Sequence, residues 1–232
     1  MDLNDFLEDL CLGELSNLYI GLEGQVDLHP QNRAKLINYV NQGLNALYSR
    51  FALQKKELII RGQEFLSLYH MDQKFSMSIG TSKTKYIDDT RCEPFCNDLI
   101  KILEVYNEVG IPFKLNVKDD NESLHTPSWN SLQILHPVQD QGYFVIYQAK
   151  PVKIAADTDG CIDLNLPPIL IEGLAGFVAS KVYSHMNGQQ NKATAQEQMA
   201  VFEAKCLELV NGDLGSDSET SFNSKAEQRG FI

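Results

Sequence analysis

The residues able to do chemistry are few, and their spacing argues against most of the sites they could build. Gly80-Thr81-Ser82-Lys83-Thr84 has the residue types of a phosphate-binding loop. Such a loop needs a glycine directly before the lysine and another five residues earlier, so that backbone N–H groups converge on the phosphates. Ser82 and Met77 occupy those places, and the segment reads as a polar turn. Cys92 and Cys96 stand four apart, with His125 and His136 downstream. A zinc site wants two close pairs at short, regular spacing. These histidines are eleven apart, each soon followed by a proline, so the expectation is no metal and no cofactor. His29, His70 and His185 are isolated and read as packing or surface residues.

Two acid pairs remain, Asp88-Asp89 and Asp119-Asp120. Both fall in expected loops and read as solvated turn residues. A general acid–base pair would need a cleft to hold it. An enzyme reading would centre on Asp88, Asp89 and His125. The sequence holds no nucleophile elbow, zinc-protease helix or dinucleotide glycine fingerprint, and no catalytic residue is expected. Asn121-Glu122-Ser123 matches a glycosylation pattern, which carries meaning only in a secreted chain.

Charge narrows the partners. The net charge is −11, and lysines and arginines are scattered. Specific nucleic-acid binding relies on neutralising phosphates, so it is not expected. An acidic surface can still sit beside DNA that slides past. No stretch approaches the roughly 18 to 20 apolar residues of a membrane helix, and the acidic start, Met1–Leu10, lacks the basic opening of a signal peptide. The five cysteines, Cys11, Cys92, Cys96, Cys161 and Cys206, are odd in number and form no framework. They fit a reducing cytoplasm.

The elements that must position these residues follow from periodicity. Residues 3–20 read as a helix through Leu3, Phe6, Leu7, Leu10 and Leu18, ended by Gly21 and Gly24. A second helix begins near Pro30 and runs to about Leu53 on the stripe Leu36, Ile37, Val40, Leu44, Leu47, Tyr48 and Phe51. Strands are expected at 57–61 and 64–69 around a Gly62-Gln63 turn, and in the alternation Phe75, Met77, Ile79. Residues 99–106 fit helix or strand, and a β-hairpin with 113–117 is preferred. Residues 131–135 and 143–149 complete the strands. Helices return at about 168–186, with the small residues Gly173, Gly176, Ala179 and Ser180, and at about 194–210, on Met199, Phe202, Cys206 and Leu209. Asn187-Gly188 and Asn211-Gly212 are the stops.

Helices and strands are thus segregated, which argues α+β. The expected organisation is N-terminal helices over 1–55, an antiparallel β domain over 56–165, C-terminal helices over 166–211, and an extended tail over 212–232. Neither helix pair buries its stripe alone, so the terminal helices are expected to form one α-helical bundle.

Several segments together carry a family resemblance. Leu10–Leu18 and Tyr39–Phe51 resemble the opening two helices of many phage virion proteins. Asp98–Asn116 is similar to their central hairpin, and Thr126–Leu132 to the loop and strand beyond it. Leu166-Pro167-Pro168 followed by the small-residue helix with Ala179-Ser180-Lys181-Val182-Tyr183, and then a last helix, is similar to the head-to-tail adaptor (connector) proteins of short-tailed bacteriophages.

The resemblance implies a non-enzymatic virion protein assembled in the host cytoplasm. It implies a homo-oligomeric, dodecameric ring beneath the portal protein, extending the channel for genomic DNA and seating the nozzle or tube proteins of the tail. No membrane partner is implied. Close variants are a tail-completion or terminator subunit; a different class is a monomeric cytoplasmic interaction module.

The segment after Gly212 departs from the family in its acidic, distinct character. It has too few apolar residues to build a core. Phe222, Arg229, Phe231 and Ile232 read as anchors onto the portal, which an extended tail would reach over roughly 70 Å.

Overall fold

The structure, a computed structural model, describes residues 1–18, 30–90, 93–118, 120, 122–155 and 162–211. The chain is α+β, with four α-helices and an antiparallel sheet among the described residues. It divides into two units, Met1–Leu47 with Lys153–Ile232, and Tyr48–Val152.

The first unit is helical. Helix α1, Leu3–Leu12, starts where the Asp2 carboxylate accepts from the Asp5 N–H at 2.8 Å, and buries Leu3, Phe6, Leu7 and Leu10. It stops at Gly13, well short of residue 20. Leu15 still reaches the core through a turn, and Tyr183 donates to the Glu14 carbonyl at 3.1 Å. Helix α2, Pro30–Arg50, buries the expected stripe. Helix α3, Pro168–Ser184, and helix α4, Gln189–Asn211, are separated by Gly188 at φ +119°, a conformation that favours glycine. Helix α4 begins at Gln189, five residues before the expected start near 194, on the polar turn Gln189–Lys192.

Small residues set the packing of α3. A Cβ on Gly176 would lie 2.9 Å from the Gln198 carbonyl oxygen of α4. The Phe177 and Phe202 rings meet edge-on at 5.2 Å. From α2, Gly43 lies under Leu174 and Phe177, where a Cβ would come within 2.3 Å of Leu174 Cδ1.

The second unit holds the sheet. Strands β1 (Lys55–Arg61), β3 (Ile87–Asp88), β4 (Leu99–Tyr106) and β6 (Gly142–Ala149) order as β3-β1-β6-β4. Strands β2 (Leu68–His70) and β5 (Ser131–Gln133) form a separate antiparallel pair. One core gathers Leu58, Ile60, Tyr69, Tyr86, Ile87 and Val145 with their neighbours. Gln148, buried on β6, donates to the Tyr48 and Phe51 carbonyls, which satisfies acceptors at the end of α2.

Three expectations fail here for identifiable reasons. The strand at 57–61 does not turn back on 64–69. Strand β1 pairs along its whole length with β6, from Lys55↔Gln148 to Arg61↔Gly142, and β2 leaves for the other sheet. The 99–106/113–117 hairpin reduces to one bridge, Tyr106↔Pro112, flanked by two bonds, from Phe113 N–H to Val105 and from Asn107 N–H to Ile111. Pro112 has no N–H with which to continue a ladder, and β6 takes the other edge of β4. Phe75, Met77 and Ile79 are not a strand: residues 73–75 form a 3₁₀ turn, and it is Ser76 that is fully buried while Ile79 is 47% exposed.

Candidate interaction surface

Asp88 and Asp89 are buried on and just after β3 and are not solvated turn residues. The Asp89 carboxylate accepts from Ser76 Oγ at 2.6 Å, from Ser78 N–H at 2.9 Å, from Ser78 Oγ, and from Phe95 N–H at 3.0 Å. Burial alone would raise its pKa, but these bonds outweigh burial and hold it down at about 2. Asp88 accepts from Thr90 Oγ1 at 2.6 Å and from Arg61 Nε and Nη2 at 3.1 and 3.0 Å. The Thr90 hydroxyl first, then Arg61, keep its pKa low against the cost of burial. Both acids are therefore ionised, bonded ties between loops; a general acid would need the opposite shift.

The other candidates are dispersed. Gly80 sits against its own loop, where a Cβ would fall 2.2 Å from the Ser76 carbonyl oxygen, and β3 follows this loop instead of the helix a phosphate loop requires. Cys96 is exposed, with its thiol toward the Pro94 carbonyl at 3.2 Å. His125 pairs through its backbone with Gln133. His70 is exposed, and His185 stacks on Tyr39 at 5.6 Å. Asp120 holds Lys114 at 2.8 Å and caps the Glu122 N–H, as a turn residue does. Among the described residues no three His, Cys, Asp or Glu side chains gather as a metal site needs. Cys92, Asp119, Asn121, Cys161 and His29 lie outside the described residues, as do the tail positions Phe222, Arg229, Phe231 and Ile232.

The β unit instead presents an apolar end. By register, Arg61 at the end of β1, Gly142 at the start of β6 and Tyr106 at the end of β4 share one edge of the sheet. The three loops beyond them are bound together. Gly62 N–H donates to Gln141 and Asp140 N–H donates to Gly62. Glu64 N–H reaches Gln139 Oε1 at 3.3 Å. Glu108 Oε1 accepts from Gly142 N–H at 2.8 Å and lies 3.9 Å from Arg61 Nη1. Gly62 cannot be larger, since a Cβ would fall 2.2 Å from the Val138 carbonyl oxygen.

These braced loops carry their apolar side chains outward. Phe65 is 98% exposed, with Val109 at 82%, Ile111 at 59% and Val138 at 58%. The unit also holds a cleft of about 330 Å³, lined by the apolar Phe113, Leu124, Ile134, Leu135 and Tyr143 and by the polar Glu122, Ser123, His136 and Gln141. Exposed apolar side chains on braced loops make this end a candidate interaction surface. Burying Phe65 alone contributes about 1.5–3 kcal/mol.

Sequence reasoning placed Phe65 within a strand and so missed this surface. The available signal was apolar residues inside turn-forming segments, Val109 and Ile111 around Gly110 and Val138 beside Pro137.

No protein-family model matches the chain. No curated protein is detectably similar to it.

Proposed function

We propose that this chain is a non-enzymatic structural subunit of a tailed-virus particle, a head-to-tail adaptor of the short-tailed phage kind. Copies form a dodecameric ring under the portal, in which the terminal helices of each subunit make one bundle. The ring extends the DNA channel and seats the nozzle or tube proteins of the tail. DNA passes without specific binding past an acidic protein of net charge −11. The tail after Gly212 reaches the portal through Phe222, Arg229, Phe231 and Ile232.

The observation that carries this reading is the braced apolar end of the β unit around Phe65. Its loops are tied to each other and its apolar side chains are left in solvent, which suits a permanent docking platform better than a reaction site. The resemblance of Tyr39–Phe51 to phage virion proteins and of Leu166–Tyr183 to adaptor proteins supports the same reading. The test is to mix Phe65→Ser/Val138→Ser and the native chain separately with portal and tail proteins. Native mass spectrometry should show the native chain joining the two and the variant losing one of them. Equal attachment by both would remove the surface from the joint.

The apolar end would also suit a monomeric interaction module, the second reading. A 26.1 kDa monomer that binds one soluble partner and never assembles on a portal would favour it.

A further inference from the structure

The sequence has two Asn-Gly bonds, Asn187-Gly188 and Asn211-Gly212, and Gly212 lies outside the described residues. Asn187 and Gly188 are both exposed, in the bend between α3 and α4. Glycine has no Cβ to shield its nitrogen. An asparagine carboxamide can therefore close onto that nitrogen, provided that both groups are free and that the N–H can lose its proton. Both are free here. Among the described residues the Asn187 carboxamide has no hydrogen bond. The Gly188 N–H donates to no carbonyl among them either, whereas Met186 N–H donates to Tyr183 at 3.0 Å and Lys192 N–H to Gly188 at 3.3 Å.

The fold also activates the nitrogen. Asn191 Nδ2 donates to the Asn187 carbonyl at 2.8 Å. That carbonyl and the Gly188 nitrogen belong to one peptide group, in which electron density is shared between oxygen and nitrogen. A hydrogen bond on the oxygen draws density from the nitrogen and loosens its proton. The nitrogen stands directly before α4, whose first turn carries no acidic side chain. The partial positive charge of that helix end favours the negative charge that develops during attack.

We propose that Asn187 is a self-modifying site, deamidated in the folded protein through a succinimide formed with Gly188. The Gly188 nitrogen bonds to Asn187 Cγ, and the Cγ–Nδ2 bond breaks. Ammonia leaves, carrying the proton that the nitrogen gave up. Water then opens the ring at either carbonyl, giving aspartate or isoaspartate. Aspartate places a carboxylate beside the N-terminus of α4, where the dipole favours it. Isoaspartate adds a methylene to the main chain and disturbs the turn that seats α4 on α3. The inference is independent of the ring reading.

The test incubates the full chain in mildly alkaline buffer, folded and in urea, and follows peptide maps by mass spectrometry. The exchange of NH2 for OH should appear at Asn187, at least as fast in the folded chain as in the unfolded one. Its rate should rise about tenfold per pH unit, because the attacking amide must lose a proton far below its own pKa. Asn191→Ala, checked for folding by circular dichroism, should slow the folded chain by about fivefold, as the loss of one hydrogen bond predicts. Asn187→Gln should abolish the exchange at this position, since the larger ring closes far more slowly. Conversion in urea with Asn187 intact in the folded chain overturns the inference, as does exchange confined to Asn211. An unchanged rate in folded Asn191→Ala overturns the activation by Asn191.

Discussion

The side-chain amide of Asn41 exchanges two hydrogen bonds with the main chain of Ile154. Its Nδ2 donates to the Ile154 carbonyl, and its Oδ1 accepts from the Ile154 N–H, each at 2.9 Å. Asn41 is buried at 9% exposure on α2. The amide therefore acts as a short strand edge for a segment that has no ladder partner. Asn41→Ala leaves a buried N–H and C=O unpaired and should cost about 2 kcal/mol. Asn38→Ala, one turn away and exposed, should cost under about 0.5 kcal/mol. Urea unfolding of the two variants makes the comparison.

Acid stability should depend on Asp89. Its pKa is held near 2 in the fold, against an ordinary value of 3.8. A depressed carboxylate contributes stability that is complete above its unfolded pKa and is lost as pH falls through the folded one. The loss should thus fall between about pH 4 and pH 2, and it amounts to about 2 kcal/mol from this group. Asp88 shifts in the same direction and should steepen the same limb. Asp89→Asn should be less stable at pH 7 and should show a flatter decline across that window, measured as melting temperature against pH.

The two glycines of α3 should respond oppositely to alanine. At Gly176 a Cβ meets the Gln198 carbonyl oxygen at 2.9 Å, and backbone must shift. At Gly173 its nearest neighbour would be Lys205 Cβ at 3.4 Å, an ordinary contact. Gly173→Ala should therefore gain up to about 1 kcal/mol from helix propensity. Gly176→Ala should lose about 1–2 kcal/mol after that gain is offset by overpacking. Thermal unfolding of both variants reads the sign directly.

Phe65→Ser should leave stability within about 0.5 kcal/mol, because the ring touches almost nothing in its own unit at 98% exposure. Binding of the portal or tail partner should fall by at least about tenfold. A calorimetric titration with each partner separates the two effects.

What was legible in the sequence was local. The stripe from Leu36 to Tyr48 fixed α2, Asn187-Gly188 placed the α3–α4 break, and Gly173 and Gly176 marked the face of α3 that α4 approaches. Segregation of these elements from the strands gave the α+β class. Strand partnership was not legible, because β1 and β6 pair across more than eighty residues and nothing in either strand names the other. Asp88-Asp89 looked like a turn because their partners Ser76, Ser78 and Arg61 are distant in sequence. Ser76 takes the buried place that the alternation assigned to its apolar neighbours. The apolar end around Phe65 depends on three loops meeting, which no single segment announces.

The central claim is that the chain builds the ring between head and tail, and locating it in the assembled particle tests this most directly. Electron cryomicroscopy of particles, or of the protein assembled on its portal, should show a closed dodecameric ring on the tail side of the portal, with Phe65 and Val138 buried against a neighbouring protein. Density for the chain away from the neck, or as isolated twofold pairs, would contradict the account.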